Sequence, residues 1–475
     1  MHEKLNQWVA RHDREPGAAP APSWRDGPSV ERVRQLPAAW ADGVRSFYDA
    51  LHAEPGCPDV CHGTACSFPD GHAPASSFPA GRIVRCLGRC AEAPVHGHGE
   101  SRPIARRSLL EPAAVLRHLV GEGPTDWATE YALPDGEAIL GAVAASSLRG
   151  RGGAAFPTAV KWRAARETPA PDRFLIANGD EGDPGAYIDR LLLEEAPHAV
   201  LAGVVAAARA IGARQAVVFV RHEYPRAQER LRTALAEAEA NAWLSGTSVT
   251  VVSGGGSYVA GEETALLASL MGLRAEPWPK PPYPAQRGLF GLPTVVQNIE
   301  TLALVPWLVR TGRPANMKAL SLSGAVPWRG VLEVPFGVTL AEVLAAAGGP
   351  LPGRPWRMAL VGGPMGRLIP AAHFAGTRLA YDTLPGLGHG GIVVLDESVT
   401  ARALFEHLAE FARSESCGNC TPCRVGCAQL LNCRDTASLE RLLRTLELGS
   451  ACGFGQGVPK PISDLLAAFP GEVLP

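Results

Sequence analysis

The sequence predicts a multidomain α/β protein, and three observations support this fold class. The chain has 475 residues, enough for three or four domains at roughly 100–200 residues each. Strand-like and helix-like apolar segments alternate from residue 136 to residue 271, as in mainly parallel sheets covered by helices. After Ser398 only helical periodicity remains, so the C-terminal part is expected to be a helical domain.

Composition excludes several classes of partner. Hydrophobic residues make up 46% of the chain and the formal net charge is -2, so a large core is expected and binding to nucleic acid is not. No uninterrupted apolar run is long enough to span a bilayer, so no direct membrane insertion is expected. Met1–Pro16 lacks the apolar region of a signal peptide, and a cytoplasmic protein is therefore expected.

The 11 cysteines fall into two groups instead of being spread along the chain. Five lie between Cys57 and Cys90, six lie between Cys417 and Cys452, and the long middle segment has none. A chain expected in the cytoplasm uses such groups for metal ions or iron–sulfur clusters rather than for disulfides. The sequence therefore predicts two separate metal or cluster sites.

The N-terminal group contains two cysteine pairs with the spacings C-x4-C and C-x3-C. Its members are Cys61, Cys66, Cys86 and Cys90. Four thiolates in two pairs can hold a two-iron (2Fe-2S) cluster or a zinc ion, and the spacing favours the cluster without excluding zinc. The remaining Cys57 is interpreted as an ordinary free thiol. A helix is predicted before this group, at residues 30–51.

The alternating segment is interpreted from its apolar periodicity. Residues 101–135 are expected to be a linker with one helix around residues 109–119. Helices are predicted at 138–148, 198–211, 227–240 and 262–271, and strands at 173–178, 215–220 and 248–252. Ligands of such sheets bind at the C-terminal ends of the strands, so the loops that follow the strands are candidate sites.

The stretch Gly150–Trp162, here called the glycine loop, has three glycines within its first four positions. Its Pro157 suits the first turn of a helix. Free amide groups at such a helix start attract phosphate, and Arg149, Arg151 and Lys161 add positive charge. A tight turn without any ligand would explain the same glycines.

Two loops that follow predicted strands combine glycines with clustered carboxylates. The first acidic loop is residues 178–185 and the second acidic loop is residues 254–264. Carboxylates at the ligand edge of a sheet can accept hydrogen bonds from ribose or ribityl hydroxyls, while amides and Lys161 hold phosphate. A nucleotide or flavin site is the favoured interpretation, and magnesium binding and solvated surface loops are the alternatives.

Two further segments lie between the second acidic loop and the helical region. Lys280–Pro284 is predicted to be a stiff extended segment that presents Lys280 and Tyr283 rigidly. The tyrosine would stack on a planar ring or pack within a loop. Residues 316–385 have the short strands, single helix and turns of a small α+β module, and no catalytic constellation is found there.

The C-terminal group has the spacing C-x2-C-x2-C followed by a distant cysteine. These residues are Cys417, Cys420, Cys423 and Cys452. Three such closely spaced cysteines with a fourth from elsewhere are typical of a four-iron (4Fe-4S) cluster. The segment 415–424 is expected to close one helix and to start another. Cys427 and Cys433 lie on a predicted helix, where core packing is the expected role.

Taken together, the glycine loop, both acidic loops, Lys280–Pro284 and the C-terminal cysteine motif resemble the flavoprotein subunit of respiratory complex I. The same subunit type occurs in NAD-linked formate dehydrogenases and NAD-reducing hydrogenases, and the resemblance covers residues 136–475 in consistent order. It implies a Rossmann-like FMN- and NADH-binding domain at 136–315, a ubiquitin-like β-grasp (SLBB-type) module at 316–395 and a helical 4Fe-4S domain at 396–475. Residues 1–100 resemble a shortened thioredoxin-like 2Fe-2S ferredoxin domain.

The resemblance also implies roles for individual residues. FMN contacts are implied at Gly150, Gly152, Gly153, Lys161, Asn178, Asp180, Glu181, Tyr258, Gly261, Glu262, Glu263, Asn298 and Thr301. NADH contacts are implied at Phe156, Asp183, Lys280 and Tyr283. The 4Fe-4S ligands would be Cys417, Cys420, Cys423 and Cys452, and the 2Fe-2S ligands Cys61, Cys66, Cys86 and Cys90.

The function implied is that of an NAD(H)–FMN diaphorase subunit within a larger soluble dehydrogenase. Hydride exchange would be the work of FMN, so no catalytic side chain is expected, and single electrons would pass to or from the clusters. The favoured parent is an NAD-dependent formate dehydrogenase with a molybdenum subunit and an iron–sulfur subunit as partners. Complex I, or a hydrogenase with a nickel–iron subunit, is the alternative.

Two other hypotheses are compatible with the same residues. One is an electron-wiring subunit without nucleotide turnover, because the family commonly has a second stacking aromatic where this chain has Ala164. The other is a scaffold in which zinc occupies the cysteine sites.

Overall fold

The structure, a computed structural model, describes residues 43–44, 47–48, 59–68, 82–95, 102–121 and 125–474. Most of the helix predicted at 30–51 lies outside the described residues, as does Cys57. The N-terminal elements that are described are β1 (Asp59–Cys61), α1 (Thr64–Ser67) and β2 (Arg82–Val84). The two strands pair in parallel, and the N-terminal cysteines lie on and around them.

The predicted linker contains packed structure. Its elements are β3 (Arg106–Ser108), α2 (Arg117–Val120) and α3 (Trp127–Tyr131). The carboxylate of Glu333, on a distant strand, accepts hydrogen bonds from the backbone N–H groups of Ala114, Val115 and Leu116. These bonds take the amides that a helix over 109–119 would use, and that helix is reduced to the single turn α2.

The central domain is an α/β unit built on one parallel sheet. In chain order its elements are α4 (Gly136–Ala145), α5 (Thr158–Glu167), β4 (Phe174–Gly179), α6 (Ile188–Glu195), α7 (Pro197–Ile211), β5 (Gln215–Val220), α8 (Pro225–Ala240), β6 (Ser248–Ser253), α9 (Glu263–Leu270), β7 (Thr294–Asn298) and α10 (Ile299–Thr311). Every helix and strand predicted within this domain is confirmed to within a few residues, and α5, α6, β7 and α10 are additional.

The core of this domain lies between the sheet and the helix α7. That helix is apolar on nearly all sides and buried along nearly its whole length, as expected of a central core helix. It packs closely on α10, because a Cβ atom at Gly203 would lie only 2.0 Å from the carbonyl oxygen of Leu302. Among the described residues no single helix is long and apolar enough to cross a membrane, whereas the bent pair α6 and α7 together has the length and composition.

The strand order creates a crevice at the ligand edge of the sheet. The spatial order is β6-β5-β4-β7, with all neighbours parallel. The first strand along the chain thus lies beside the fourth, which is the point where the winding direction of the sheet reverses and where ligands of such sheets bind. At this point Asn178 of β4 and Asn298 of β7 are partners in register.

A second, mixed sheet follows. Its elements are β8 (Met317–Gly324), β9 (Gly330–Pro335), α11 (Leu340–Ala346), β10 (Trp356–Val361), β11 (Arg367–Pro370) and β12 (Gly391–Asp396). The spatial order is β11-β10-β12-β8-β9-β3, and the last strand, β12, lies parallel to the first strand of the module, β8. A hairpin, a helix and a parallel last strand in the centre form a β-grasp topology, so the ubiquitin-like module is confirmed. The strand β3 extends its edge.

The C-terminal region is helical, as predicted. Its helices are α12 (Ala401–Glu415), α13 (Thr421–Gln429), α14 (Thr436–Gly449), α15 (Gly453–Gly457) and α16 (Pro459–Ala468). The cysteine motif lies in the connection from α12 to α13, where the sequence predicts a helix boundary.

Candidate functional site

The glycine loop is closed by its own backbone and leaves open space above it. The N–H of Gly150 donates to the carbonyl of Phe156 at 2.9 Å, and the N–H of Thr158 to that of Leu148 at 2.9 Å. Gly153 has a φ of 119°, and a Cβ atom there would meet nothing within 4 Å. A Cβ at Gly152 would lie 3.0 Å from the Cβ of Asn298. The loop is therefore a cradle that side chains would fill, which fits a phosphate-bearing ligand.

The cations of this loop have different surroundings. Arg149 forms an ion pair with Asp382 at 2.6 Å. Arg151 is buried, with its guanidinium carbon 4.8 Å from the ring centre of Phe336 and a donated bond to Ala315. Both arginines thus attach the loop to the ubiquitin-like module or its approach, contrary to the expectation of a ring of positive charge. Lys161 alone of these three cations contacts the second acidic loop.

Lys161 belongs to an ionic cluster that joins three segments. Its Nζ lies 3.1 Å from Glu263, and the Nζ of Lys280 lies 2.7 Å from Glu263 and 2.9 Å from Glu262. Burial opposes ionisation of Glu263, yet Lys161 and Lys280 hold the pKa of this carboxyl below its usual range. Burial likewise opposes the charge of Lys280, and the two glutamates raise the pKa of its amine. The cluster stays charged and fixes the segment Lys280–Pro284 beside the glycine loop.

The two acidic loops are bonded to each other at the end of β4. The Nδ2 of Asn178 donates to the carbonyl of Gly261 at 2.9 Å, and its Oδ1 accepts the N–H of Asp180 at 3.1 Å. Burial raises the pKa of Asp180 to about 7. Its carboxyl therefore changes its protonation in the neutral range, at the mouth of the crevice.

Asn298 and Thr301 tie the glycine loop to the start of α10. Asn298 caps this helix by accepting the N–H of Thr301 at 3.1 Å, and its Nδ2 donates to Asp189 at 2.6 Å. The hydroxyl of Thr301 accepts the N–H of Arg151 at 2.9 Å. The capping bonds hold the Asn298 side chain against the backbone of Gly152.

The carboxylate of Glu181 points into the protein interior. It accepts the N–H groups of Asp189 and Arg190, each at 3.0 Å, and the hydroxyl of Tyr224 at 3.1 Å. Burial and the charge of Asp189 raise the pKa of Glu181. Of the candidate residues in the first acidic loop, Glu181 thus shapes the loop from below, whereas Asn178 and Asp180 lie at the crevice.

Tyr258 connects the first acidic loop with the C-terminal helices. Its hydroxyl donates to Asp183 at 2.6 Å and its N–H donates to Glu415 at 3.0 Å. The ring packs edge-on to Phe411, with centroids 5.2 Å apart. Burial raises the pKa of Asp183, and the bond from Tyr258 opposes that rise. The pair forms a bridge between the crevice and the C-terminal cysteine motif.

Phe156 and Tyr283 offer two exposed aromatic rings near the glycine loop and the ionic cluster. Phe156 is 49% exposed and Tyr283 is 55% exposed. Phe156 lies within the glycine loop, and Tyr283 follows Lys280 by three positions. Exposed rings held on ordered segments are suitable platforms for stacking a planar ligand.

The C-terminal cysteines gather where four helix ends meet. Cys417 follows α12, Cys420 precedes α13, Cys423 lies in its first turn and Cys452 precedes α15. The Sγ of Cys420 accepts the N–H of Ala451 at 3.5 Å. Four thiols with an N–H donor directed to sulfur fit a 4Fe-4S cluster. Cys427 is buried with its Sγ 3.8 Å from that of Cys423, and Cys433 lies at the margin of the core.

The N-terminal cysteines are buried more deeply. All four sulfurs lie between β1, α1, β2 and the following turn, and these residues are 1–3% exposed. The sulfurs of Cys61, Cys86 and Cys90 accept the N–H groups of Leu87, Gly88 and Gly185 respectively. This donor set fits a 2Fe-2S cluster, because N–H bonds to sulfur stabilise such clusters. One of the donors, Gly185, belongs to the first acidic loop.

The sequence did not single out several charged residues that hold the site together. Arg221 donates to the carbonyls of Cys86 and Glu181 and thereby links the N-terminal cysteines with the first acidic loop. It follows β5 directly, so the rule that strand ends carry ligand-edge residues would have found it. Asp189 and His389 are buried beside Glu181. The glycine-rich run around His389 was the available signal.

Comparison with known proteins agrees with this geometry. Residues 143–307 match the Nuo51 FMN-binding domain, and residues 403–474 match the NADH-ubiquinone oxidoreductase-F iron-sulfur binding region. A NADH-quinone oxidoreductase F polypeptide of Rhizobium meliloti (strain 1021) is 38% identical over 70% of this chain and 87% of that protein. The NADP-reducing hydrogenase subunit HndC of Solidesulfovibrio fructosivorans is 36% identical over 77% of this chain and 81% of that protein.

A solved structure is similar over nearly the whole chain. It is the crystal structure of an NAD+-reducing [NiFe]-hydrogenase in the H2-reduced state, with a TM-score of 0.81 and 30% identity. The similarity covers 94% of this chain and 90% of the hydrogenase chain. Because the domain matches and the relatives agree, the chain belongs to the family of FMN-binding, 4Fe-4S-carrying flavoprotein subunits of NADH-oxidising complexes.

Proposed function

We propose that this chain is an NAD(H)–FMN diaphorase subunit whose FMN lies in the crevice between β4 and β7. The observation that carries the proposal is the open cradle at Gly152 and Gly153, which lies directly against Asn298 at the reversal point of the sheet. A nucleotide phosphate at this position would meet backbone N–H groups and the start of α5.

The residues proposed to hold FMN surround this cradle. They are Gly150, Gly152, Gly153, Lys161, Asn178, Asp180, Tyr258, Gly261, Glu262, Glu263, Asn298 and Thr301, with Glu181 supporting the first acidic loop. Asn178 and Asn298 present amide groups from neighbouring strand ends, which suits ribityl hydroxyls. Glu263 and Lys161 neutralise each other at rest, so the lysine gains a phosphate partner without leaving an uncompensated charge.

NADH is proposed to bind on the outer side of the flavin. Phe156 and Tyr283 supply the stacking surfaces, Lys280 supplies a cation for the pyrophosphate and Asp183 supplies a carboxylate. When bound, FMN takes a hydride from NADH and releases the electron pair one electron at a time to the clusters. The side chains of this chain orient the nucleotide, balance its charge and exclude water from the crevice.

The two cysteine sites are proposed as the neighbours of the flavin in electron transfer. Cys417, Cys420, Cys423 and Cys452 would hold the 4Fe-4S cluster, and Cys61, Cys66, Cys86 and Cys90 a 2Fe-2S cluster. Direct contacts support the arrangement, because Gly185 of the first acidic loop bonds to Cys90. Tyr258 spans from Asp183 to the helix that precedes Cys417. Zinc at both sites would leave the crevice without an electron acceptor.

The parent complex is proposed on weaker grounds than the diaphorase chemistry. We infer an NAD-dependent formate dehydrogenase, with a molybdenum subunit and an iron–sulfur subunit as partners. A hydrogenase with a nickel–iron subunit is the second candidate, and the hydrogenase chain that is similar over 94% of this chain favours it. Metal analysis of the complex that co-purifies from native cells separates the two, since molybdenum supports the first and nickel the second.

A cytoplasmic location fits the cysteine chemistry. Ten cysteines are free in the described residues, and eight of them form the two proposed cluster sites. Such thiols remain reduced in a reducing compartment, whereas an oxidising compartment would pair them.

The decisive experiment measures FMN binding and NADH oxidation in a matched pair of glycine variants. Gly153→Leu should weaken FMN binding more than about ten-fold and abolish NADH:ferricyanide turnover, because its positive φ and the open cradle both exclude a side chain. Gly141→Leu is the control, since a Cβ there meets nothing within 4 Å on a helix. Unchanged FMN binding in Gly153→Leu, or a wild-type chain that binds no FMN, would overturn the proposal.

A further inference from the structure

His389 is a buried imidazole placed between two buried carboxylates. It lies in the glycine-rich turn that precedes β12 and is only 4% exposed. Its Nε2 lies 3.2 Å from Oδ2 of Asp189, and its Nδ1 lies 3.7 Å from Oε1 of Glu181. Asp189 belongs to α6 and Glu181 to the first acidic loop, so the ring joins the ubiquitin-like module to two segments of the central domain.

The arrangement favours the protonated ring. A neutral imidazole has one N–H donor and one acceptor nitrogen, so with a carboxylate on each side one nitrogen lone pair would face an anion. Burial opposes protonation, but Asp189 and then Glu181 raise the pKa of His389 to about 9. The other charged groups that act on the ring are Lys318 of β8, which opposes its charge, and Asp183 of the first acidic loop.

The same cluster has the spacing of a cation site, since its three ligand atoms lie within 4.8 Å of one another. The oxygens are already engaged, however, because Glu181 accepts two backbone N–H groups and Asp189 accepts the N–H of Glu300 at 3.1 Å. The ammonium of Lys318 also lies close, 2.9 Å from the position of a Cβ at Gly390. The protonated ring supplies the positive charge that a metal ion would otherwise provide.

Asp189 connects this ring to the proposed flavin pocket. The Oδ2 atom that faces His389 also accepts the Nδ2 of Asn298 at 2.6 Å. Asn298 in turn lies against Gly152 of the glycine loop. The charge of His389 therefore reaches the pocket through two side chains, Asp189 and Asn298.

We propose that His389 is a positioning residue of the flavin pocket, which as an imidazolium holds Asp189 and, through it, fixes Asn298 against the glycine loop. The inference rests on the proposed FMN site and adds a proton-dependent support to it. Because the ring loses its proton as the pH rises through the raised pKa, the support is complete at neutral pH and is lost on the alkaline side.

The test is the pH dependence of FMN affinity in the full chain carrying its clusters. Fluorescence quenching gives the Kd of FMN between about pH 7 and about pH 10 for wild type, His389→Gln and His389→Lys. We expect His389→Gln to weaken FMN binding about ten-fold at pH 7 and to lose the wild-type weakening above about pH 8. His389→Lys, which keeps a cation, should restore part of the affinity. Ionisation of FMN itself is common to all three proteins.

The control is His373→Gln, which changes an exposed histidine of the same module and should leave the Kd at every pH unchanged. Equal Kd values and equal pH profiles for wild type and His389→Gln would overturn the inference. Cluster content, measured as iron and acid-labile sulfide, verifies that each variant is folded.

A second readout does not depend on flavin. In wild type without FMN, the histidine NMR resonance that is missing from His389→Gln should titrate near pH 9. Titration at or below the ordinary value of about 6.5 would overturn the inference, because the ring would then be neutral and accept from Asn298, which lies 3.4 Å from its Nε2. If wild type binds no FMN, the proposed function fails, and this titration still decides the state of His389.

Discussion

The two cysteine sites of the chain differ in how far they are enclosed. The N-terminal cysteines are almost completely buried and receive N–H bonds from their own turn and from the first acidic loop. In the C-terminal motif, by contrast, Cys420 and Cys452 are partly exposed. The difference indicates that one site is sealed into the chain, whereas the other opens to its surface.

The contacts with the crevice differ in the same direction. The N-terminal site is held against the first acidic loop by Arg221 and by Arg190, which donates to Gly88 at 2.9 Å. The C-terminal site touches the crevice mainly through Tyr258. We infer that the C-terminal cluster is the exit towards a partner subunit, and that the N-terminal cluster exchanges electrons within the chain.

The largest expected effect separates the two sites by their metal content. Cys452→Ser should remove about four iron atoms per chain and Cys90→Ser about two, each leaving the other site filled. Iron and acid-labile sulfide analysis with EPR of the NADH-reduced protein measures this. Loss of both EPR signals in either single variant would contradict the independence of the sites.

Arg221 tests the clamp on the N-terminal site. Arg221→Met should lower the free energy of unfolding by about 3–5 kcal/mol, because it leaves the buried Glu223 without its partner. It should also release the N-terminal cluster before the C-terminal one. Chemical denaturation followed by visible absorbance measures both effects. Arg413→Met, in an exposed ion pair with Glu410, is the control and should change stability by less than about 0.5 kcal/mol.

Tyr258 tests the link to the C-terminal site through pH. Tyr258→Phe removes the bond that lowers the pKa of Asp183, so this pKa should rise further. The proposed NADH site needs Asp183 ionised, and the acid limb of the kcat/KM profile for NADH should therefore move up by about one pH unit. Tyr283→Phe, which removes a hydroxyl from a half-exposed ring, should leave the limb in place. An unshifted limb in Tyr258→Phe would exclude Asp183 from NADH binding.

The smallest expected effect concerns the extra thiols of the C-terminal region. Cys427→Ala should keep the iron content and cost about 1 kcal/mol of stability, since it removes a small buried side chain. Cys433→Ala, at the margin of the core, should cost less. A drop in iron content in Cys427→Ala would instead make this thiol a cluster ligand and would revise the ligand set.

Much of the fold could be predicted because each element carries its own periodicity. The strand 215–220 was predicted to the residue, since its continuous apolar run is bounded by polar turns. The strand β7 was not, because five residues after a proline-rich stretch give no distinctive pattern and only pairing with β4 defines them. The strand β3 likewise depends on β9 and on Glu333, more than 200 positions away.

The site was predictable at the level of loops and not of side-chain directions. Glycines and carboxylates after strands located the crevice, because strand ends meet at one edge. The direction of Arg151, however, depends on Phe336 and Tyr381 of another module. The burial of Glu181 depends on Tyr224 and on the start of α6. Such tertiary partners leave no local trace in the sequence.

The central claim is that the cradle at Gly152 and Gly153 binds the flavin that connects NADH with both cysteine sites. Stepwise anaerobic addition of NADH to the chain carrying FMN and both clusters, followed by flavin absorbance and EPR, tests it most directly. Bleaching of the flavin together with reduced-cluster signals from both sites in wild type, and neither in Gly153→Leu with intact clusters, is the predicted result. Reduction of the clusters by NADH in Gly153→Leu without bound flavin would contradict the claim.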